Sequence, residues 1–460
     1  MLTIDFQSGT LALGNCQKLP DTLAKWFKRD ERSDSFRARA CDYAEIVMAL
    51  LKEKIPFADN ARNYLPLQLD LKEKLIPRKH QTQALEAWKS NQCRGVAALP
   101  TGAGKTILAV MAIEYLQRPT LILVPTIDLL IQWCNTLERF FDIPIGMLGG
   151  GEHHIEPVTV STYDSALLNI EFIGGDFAFL IADECHHLPS PENRLCAAMS
   201  IAPFRLGLSA TPELNDEYTL VMRDLLGKTV CNISITELSG TVLSPYTTKK
   251  IFLELSGEEK LLYTQHRNTY TGFLRRYGIN PASPGGWAEF LIATSRYPGG
   301  KEALHSFITQ RHIARAGRAK LQAVAELLIR HAGERIIIFT ADNDAAYSIG
   351  RAFTLPVLTH HTKATERKDF LDNFRSGSYP ILVTSKVLNE GVDVPDASVG
   401  IIVSGSGSVR EHVQRLGRIL RPSPGKMQAI LYELISANTS EESISDRRRA
   451  HHAYRRKNSC

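Results

Sequence analysis

Gly95-Val96-Ala97-Ala98-Leu99-Pro100-Thr101-Gly102-Ala103-Gly104-Lys105-Thr106 is the stretch whose reading decides the fold. Residues 95–99 are apolar and read as a buried strand, the Pro/Gly segment after them as a turn, and 107–117 as a helix-forming stretch. This order of strand, Gly-rich turn, Lys-Thr pair and helix describes a phosphate cradle. Glycines let backbone N–H groups converge on phosphate oxygens, a lysine adds a point charge at the β and γ positions, and a threonine hydroxyl can ligand Mg2+. Pro100, Thr101, Gly102, Ala103, Gly104, Lys105 and Thr106 are therefore the candidate nucleotide contacts, with Thr106 on the metal. The strict GxxxxGKT spacing would put glycine where Leu99 stands. A ligand-free turn explains neither the Lys-Thr pair nor its place ahead of a helix.

Working outward, short β-branched apolar runs recur near 94–99, 119–124, 158–162, 178–183 and 205–209, ending in Thr101, Thr126, Thr162, Asp183 and Thr211. Buried strands alternating with helical stretches predict a parallel sheet, and polar residues at strand C-terminal ends predict a ligand edge. The run ending at Asp183 continues as Glu184-Cys185-His186-His187. Downstream of a phosphate cradle, Asp183 is suited to hold Mg2+ through its waters and Glu184 to orient and deprotonate an attacking water. Zinc is a poor reading of Cys185, His186 and His187, because adjacent side chains on a turn point apart and no fourth ligand has suitable spacing.

A second set of runs near 335–340, 356–359, 380–384, 399–404 and 428–434 predicts a second sheet of the same kind. Between the sets, 246–330 breaks the rhythm and reads as an inserted helical element carrying Tyr263, His266, Arg267, Tyr270, Phe273, Arg275 and Arg276. Its Arg and Tyr residues suit either backbone charge and base stacking or a small core of its own. Residues 1–70 form a separate mixed segment, with an amphipathic helix pattern over 42–54. The fold class is α/β: two tandem, doubly wound parallel-sheet domains.

Composition leaves most functions open. The 460 residues are enough for two or three domains, and a net charge of +5 means that any nucleic-acid surface must come from local clustering. Eight scattered cysteines without a CxxC pair argue against disulfide frameworks and zinc ribbons and fit a reducing cytosol. With no secretory leader pattern and no apolar run near the roughly 18 residues of a membrane span, a soluble cytoplasmic protein is expected.

Two further elements complete a family pattern: Leu208-Ser209-Ala210-Thr211 after the acidic box, and Gln414-Arg415-Leu416-Gly417-Arg418-Ile419-Leu420-Arg421 late in the chain. The chain resembles superfamily 2 helicases of the DExH type, and within them the archaeal and bacterial relatives of the XPB (Rad25-like) DNA-repair helicase. Supporting text includes residues 160–166, 201–208 and 404–408. The resemblance implies two RecA-like domains, with a small α+β damage-recognition-like domain over 1–70. The ATP-binding domain would span 71–240. The C-terminal helicase domain would span 241–440, with a thumb-like helical insert at about 256–320, and 441–460 would be a basic tail. It implies ATP as substrate with Mg2+, and DNA, single-stranded or forked duplex, as partner. Arg78 and Gln81 match the adenine-contacting element, while Gly391 and Asp393 join the nucleotide site. Pro125, Thr126, Ser161, Thr162, Thr340 and Thr384 match strand-contacting positions, and Ser209, Ala210 and Thr211 the coupling motif. Gln414, Arg418 and Arg421 would act from the second domain on the γ-phosphate, where an arginine finger is worth ~10³ to 10⁵ in rate.

The resemblance thus implies a 3′-to-5′ DNA helicase or translocase in DNA repair, with a partner endonuclease as archaeal relatives have. One departure stands out. Where the family carries Arg-Glu-Asp shortly after Ser-Ala-Thr, this chain reads Glu213-Leu214-Asn215-Asp216. That leaves open a duplex-DNA translocase or nuclease-recruiting ATPase that does not separate strands. An RNA helicase, sharing the same ATPase motifs, is the other alternative.

Overall fold

A computed structural model describes residues 1–16, 18–31, 35–210, 216–238, 240, 244–283, 285–385, 397–405 and 428–449. Met1–Glu237 forms one compact unit, and the described residues from Leu238 onward form another.

The first unit holds two sheets. Strands β1 (Leu2–Gln7), β2 (Thr10–Gly14), β3 (Lys28–Asp30), β4 (Ser35–Arg39) and β5 (Phe57–Asp59) are ordered β3-β4-β2-β1-β5. The β1–β2 hairpin turns through Ser8 and Gly9 at φ 47° and 73°, both in the left-handed region that a tight two-residue turn requires. The helix Tyr43–Lys52 covers this sheet, burying Tyr43, Ile46 and Leu50. It answers to the amphipathic pattern read at 42–54.

The second sheet runs β13-β6-β12-β11-β7-β10-β8-β9. Its strands are β6 (Arg94–Ala98), β7 (Thr120–Val124), β8 (Ile145–Gly149), β9 (Glu152–His154), β10 (Val158–Thr162), β11 (Phe179–Ala182), β12 (Phe204–Ser209) and β13 (Thr229–Asn232). Every pairing is parallel except β8–β9. Strands β7, β10 and β11 are buried at every position, which is why they read as uncharged, β-branched and apolar runs without an alternating polar face. The sequence reading lacks β8, β9 and β13, which lie at the sheet's margins, are partly exposed and carry no such run.

The N-terminal segment is not free-standing within this unit. Ile201 joins its core, the Gly9 amide donates to the Glu171 carbonyl, and Asn63 Nδ2 donates to Asp176. Arg39 pairs with both Asp42 and Asp224. At this seam the fully buried Arg205 donates to the carbonyls of Ala202, Leu225 and Ser200 at 2.7–2.9 Å. Arg205→Met would strand those three buried acceptors at about 1–3 kcal/mol apiece. A stability loss of roughly 3 kcal/mol or more is expected, read as a lower thermal midpoint.

The second unit carries a parallel sheet ordered β14-β19-β18-β15-β17-β16. Its strands are β14 (Tyr246–Leu253), β15 (Ile336–Phe339), β16 (Val357–Leu358), β17 (Ile381–Thr384), β18 (Val399–Ile402) and β19 (Ala429–Ser436). Two corrections apply to the helical element read over 246–330. It opens with β14, a half-buried edge strand whose Thr and Lys residues hide its pairing with β19. It closes with the helix Arg318–Arg330, which packs Ala323, Val324 and Leu327 into the core of this sheet. Between them the helices Gly257–Tyr277, Gly286–Arg296 and Gly300–Ala316 form a satellite with its own core. There Tyr270 meets Phe290 and Phe307 at ring separations of 5.4 and 5.1 Å. Phe273 is buried beside them, whereas Arg275 and Arg276 are exposed. The interior aromatics are therefore core, and the exposed arginines are what this element offers to solvent.

Candidate nucleotide site and strand-facing edge

Strand β6 delivers the chain into the loop, and the helix Lys105–Leu116 carries it away. Gly102 and Gly104 sit at φ 84° and 85°. At Gly104 a Cβ would also collide with the Gln81 amide nitrogen, so glycine is required there twice over. That amide donates to the Ala103 and Gly104 carbonyls at 3.3 and 3.2 Å, while Gln81 Oε1 accepts from the Arg78 amide. His80 Nε2 lies 2.7 Å from the same Ala103 carbonyl. Gln81, expected on adenine, thus braces the loop from beneath, and Arg78 stands exposed at the start of the helix Lys79–Ser90. Thr101 Oγ1 is buried with no hydrogen-bond partner among the described residues. A glycine cradle and an unsatisfied hydroxyl at its mouth fit a phosphate ligand.

The carboxylates stand on the same sheet edge, because β12 lies between β6 and β11. Lys105 Nζ donates to Glu184 Oε1 at 2.7 Å. Burial alone would pull the Lys105 ammonium down, but Glu184 and Asp183 together outweigh it and hold it above its ordinary value. Asp183 is buried, and that burial pushes its carboxyl up against the opposing pull of Lys105. Its Oδ2 accepts from the Trp133 indole N–H at 2.8 Å, its Oδ1 from the Glu184 amide at 2.9 Å, and its carbonyl from the Tyr163 hydroxyl. Glu184 occupies the left-handed region at φ 42°, a cost that a packed surrounding must enforce. His186 Nδ1 lies 3.2 Å from Ser209 Oγ and 3.5 Å from Glu184 Oε2, so it bridges the acidic box to the end of β12. The Leu99 amide bonds the Ser209 carbonyl, tying that strand end to the loop; Ala210 follows, half-buried. Among the described residues no three His, Cys, Asp or Glu side chains gather into a metal cage. Thr106, half-buried on the first helical turn, and Asp183 suit Mg2+ held chiefly by nucleotide and water.

The hydroxyls at the expected strand-contacting positions make hydrogen bonds within the protein. Thr126 accepts from the Leu129 amide and Thr162 from the Ser165 amide, capping the helices Ile127–Phe140 and Tyr163–Ile173. Ser161 is buried and donates to the Thr162 carbonyl, and Pro125 is half-buried beside the first cap. In the second unit Thr340 donates to the Asp342 carbonyl and Thr384 to that of Ser385, both fully buried. Thr211, Gly391, Asp393, Gln414, Arg418, Arg421 and most of the basic tail lie outside the described residues.

Residues 4–61 match the family profile described as the xeroderma pigmentosum group B helicase damage recognition domain. Residues 305–454 match that of the ERCC3/RAD25/XPB C-terminal helicase, and 74–214 that of the type III restriction enzyme res subunit. Over 431 residues the chain is 36% identical to the DNA 3′-5′ translocase XPB2 of Sulfurisphaera tokodaii, covering 94% of this chain and 97% of that one. The chain belongs to the XPB/Rad25 helicase family. Other relatives are longer. The DNA 3′-5′ helicase XPB of Mycobacterium tuberculosis is 28% identical over 75% of this chain and 58% of its own. The transcription and repair factor IIH subunit XPB/SSL2 of Saccharomyces cerevisiae is 25% identical over 86% of this chain and 46% of its own. The Pyrococcus furiosus Hef helicase domain superposes with a TM-score of 0.51 at 19% identity, covering 80% of this chain and 97% of that one. This likeness supports the tandem helicase fold.

Within this XPB-family site, the sequence reading assigned no bracing role to His80, Trp133, Tyr163 or His186. Only proximity to a quoted motif could have raised them: His80 precedes Gln81, Tyr163 follows Thr162, and His186 lies in the acidic box. Trp133 has no such signal, since its partner is 50 residues away. No helix among the described residues is long and apolar enough to cross a membrane.

Proposed function

We propose that this chain couples ATP hydrolysis to 3′-to-5′ movement on DNA, opening the duplex during repair. The observation that carries the reading is Lys105, Asp183 and Glu184 converging beneath a glycine cradle, in a chain that shares over a third of its residues with a DNA translocase along nearly its whole length. ATP use goes with the family. Lys105 would hold the β and γ oxygens, with backbone amides of 101–106 around them, and Glu184 would orient and deprotonate the attacking water. Mg2+, held by Thr106 and Asp183, would neutralise developing phosphate charge. His186 and Ser209 would pass the state of that site along β12.

DNA would be gripped through its phosphates at the edge where the Thr126- and Thr162-capped helices begin. Backbone amides and threonine O–H groups carry no base readout, so little sequence should be read and binding should weaken with salt. We assign 1–70 to damage recognition, 71–240 to ATP binding, 241–440 to the C-terminal helicase domain with its thumb-like insert, and 441–460 to a basic tail. A cytoplasmic site of action and an endonuclease partner belong to the same reading.

Arg418→Ala should bind ATP yet lose most of its hydrolysis, measured by nucleotide binding beside turnover, with Arg415→Ala the milder variant. An unchanged rate in Arg418→Ala would remove that residue from the finger role. The departure at 213–216 favours a second reading, movement along duplex without strand separation. The deciding experiment compares hydrolysis stimulated by single-stranded DNA, duplex DNA and RNA, beside strand displacement from a 3′-tailed duplex. DNA stimulation with displacement supports the helicase; duplex stimulation without displacement makes the chain a translocase; stimulation by RNA alone overturns both.

A further inference from the structure

Trp133 is almost fully buried, and its one polar atom has many possible acceptors in a protein interior, yet it donates to a carboxylate. The acceptor is Asp183 Oδ2 at 2.8 Å. The other oxygen, Oδ1, accepts from the Glu184 amide at 2.9 Å, so each oxygen receives one donor and keeps lone-pair capacity for a further contact. The Glu184 amide is the adjacent residue's own and comes with the turn. The indole is different, arriving from the helix Ile127–Phe140, and it therefore sets the plane of the carboxylate against an independent element. Beneath it the Tyr163 hydroxyl, equally buried, donates to the Asp183 carbonyl at 3.2 Å and pins the backbone from a second helix, Tyr163–Ile173. The side chain and main chain of Asp183 are thus held from two directions by aromatic donors.

We propose that Trp133 is a positioning residue for the magnesium-holding carboxylate of Asp183, with Tyr163 as its backbone counterpart. The proposal rests on the reading of Asp183 given above. Donors behind a metal-holding group fix its orientation, and their removal typically costs 10- to 100-fold in metal affinity or activity. Trp133→Phe keeps the aromatic packing largely in place and removes the N–H. Tyr163→Phe removes one hydroxyl.

The test is a Mg2+ titration of the full chain, reading equilibrium binding of a fluorescent non-hydrolysable ATP analogue, with hydrolysis measured alongside. In Trp133→Phe the half-saturating Mg2+ concentration is expected to rise roughly tenfold. Turnover should fall at low Mg2+ and recover as Mg2+ is raised, while the analogue binds within twofold of wild type at saturation. A loss of packing alone would not be restored by Mg2+ in this way. Tyr163→Phe should shift the titration in the same direction by less, and decides the matter if Trp133→Phe does not fold. A wild-type Mg2+ midpoint in the folded variant overturns the proposal. Asp183→Asn separates the two layers. If it also titrates like wild type, the assignment of Asp183 itself fails; if it loses Mg2+ dependence while Trp133→Phe does not, only the positioning role fails.

Discussion

Lys105→Ala should reduce ATP hydrolysis below detection, at least ~10³-fold, and weaken ATP binding as well. Removing one preorganised donor from a phosphoryl-transfer site costs ~10² to 10³ in rate by itself. Here the loss is compounded. Lys105 is the cation that faces both Glu184 and Asp183, and those two carboxylates raise its proton affinity despite its burial. Without it, the buried Asp183 and the half-buried Glu184 confront an incoming polyanion with no protein cation between them. Lys105 at present lies 2.7 Å from Glu184, so phosphate must draw the ammonium from that carboxylate, freeing Glu184 for water. Turnover assays beside binding of a fluorescent nucleotide check both parts, and appreciable hydrolysis by the variant would break the site assignment.

Glu184→Gln should separate the two functions that Lys105→Ala destroys together. The amide preserves the shape of the side chain and can still accept a hydrogen bond from Lys105, but it cannot take a proton from water. General-base loss is worth roughly 10² to 10⁴ in rate, and an effect near the upper end is expected because the neighbouring carboxylate, Asp183, is already engaged by the Trp133 indole and the Glu184 amide. ATP binding should be retained, since one negative charge has left the phosphate pocket. The φ of 42° will not be relieved, because glutamine is as poorly suited to that region as glutamate. Retained turnover would transfer the base role to another group, whereas loss of binding would mean that Glu184 serves mainly to hold the loop lysine.

The parts of the site legible in the sequence are those in which function is carried by neighbours along the chain. The cradle at 100–106 needs glycines, a lysine and a threonine in one turn, and Asp183-Glu184 needs only the end of one buried strand. The strands that flank them announce themselves because parallel strands covered on both faces are rich in β-branched and apolar residues and carry no charge, as in β7, β10 and β11. Edge strands escape that demand, which is why β14 passed for part of a helical insert. Conversely, Thr126 and Thr162 matched strand-contacting positions, yet their hydroxyls cap helices. Threonine ahead of a helix is a common cap, a role that leaves the hydroxyl proton of Thr126 able to donate elsewhere.

The sequence alone determined the tandem α/β architecture, the nucleotide chemistry and the pair of carboxylates, because periodicity and short motifs need only local order. Tertiary structure alone decided who braces whom: Gln81 and His80 under the loop, Trp133 and Tyr163 on Asp183, His186 between Glu184 and Ser209. It also decided that the N-terminal sheet is seated on the first motor domain, through Asn63 on Asp176 and Arg39 on Asp224. Apart from the Glu184–His186 pair, these contacts join residues 20 to 185 positions apart. A hydrogen bond across such a separation leaves no mark on the spacing of either partner, since it exists only once packing has brought their elements together and removed the water that would otherwise satisfy them.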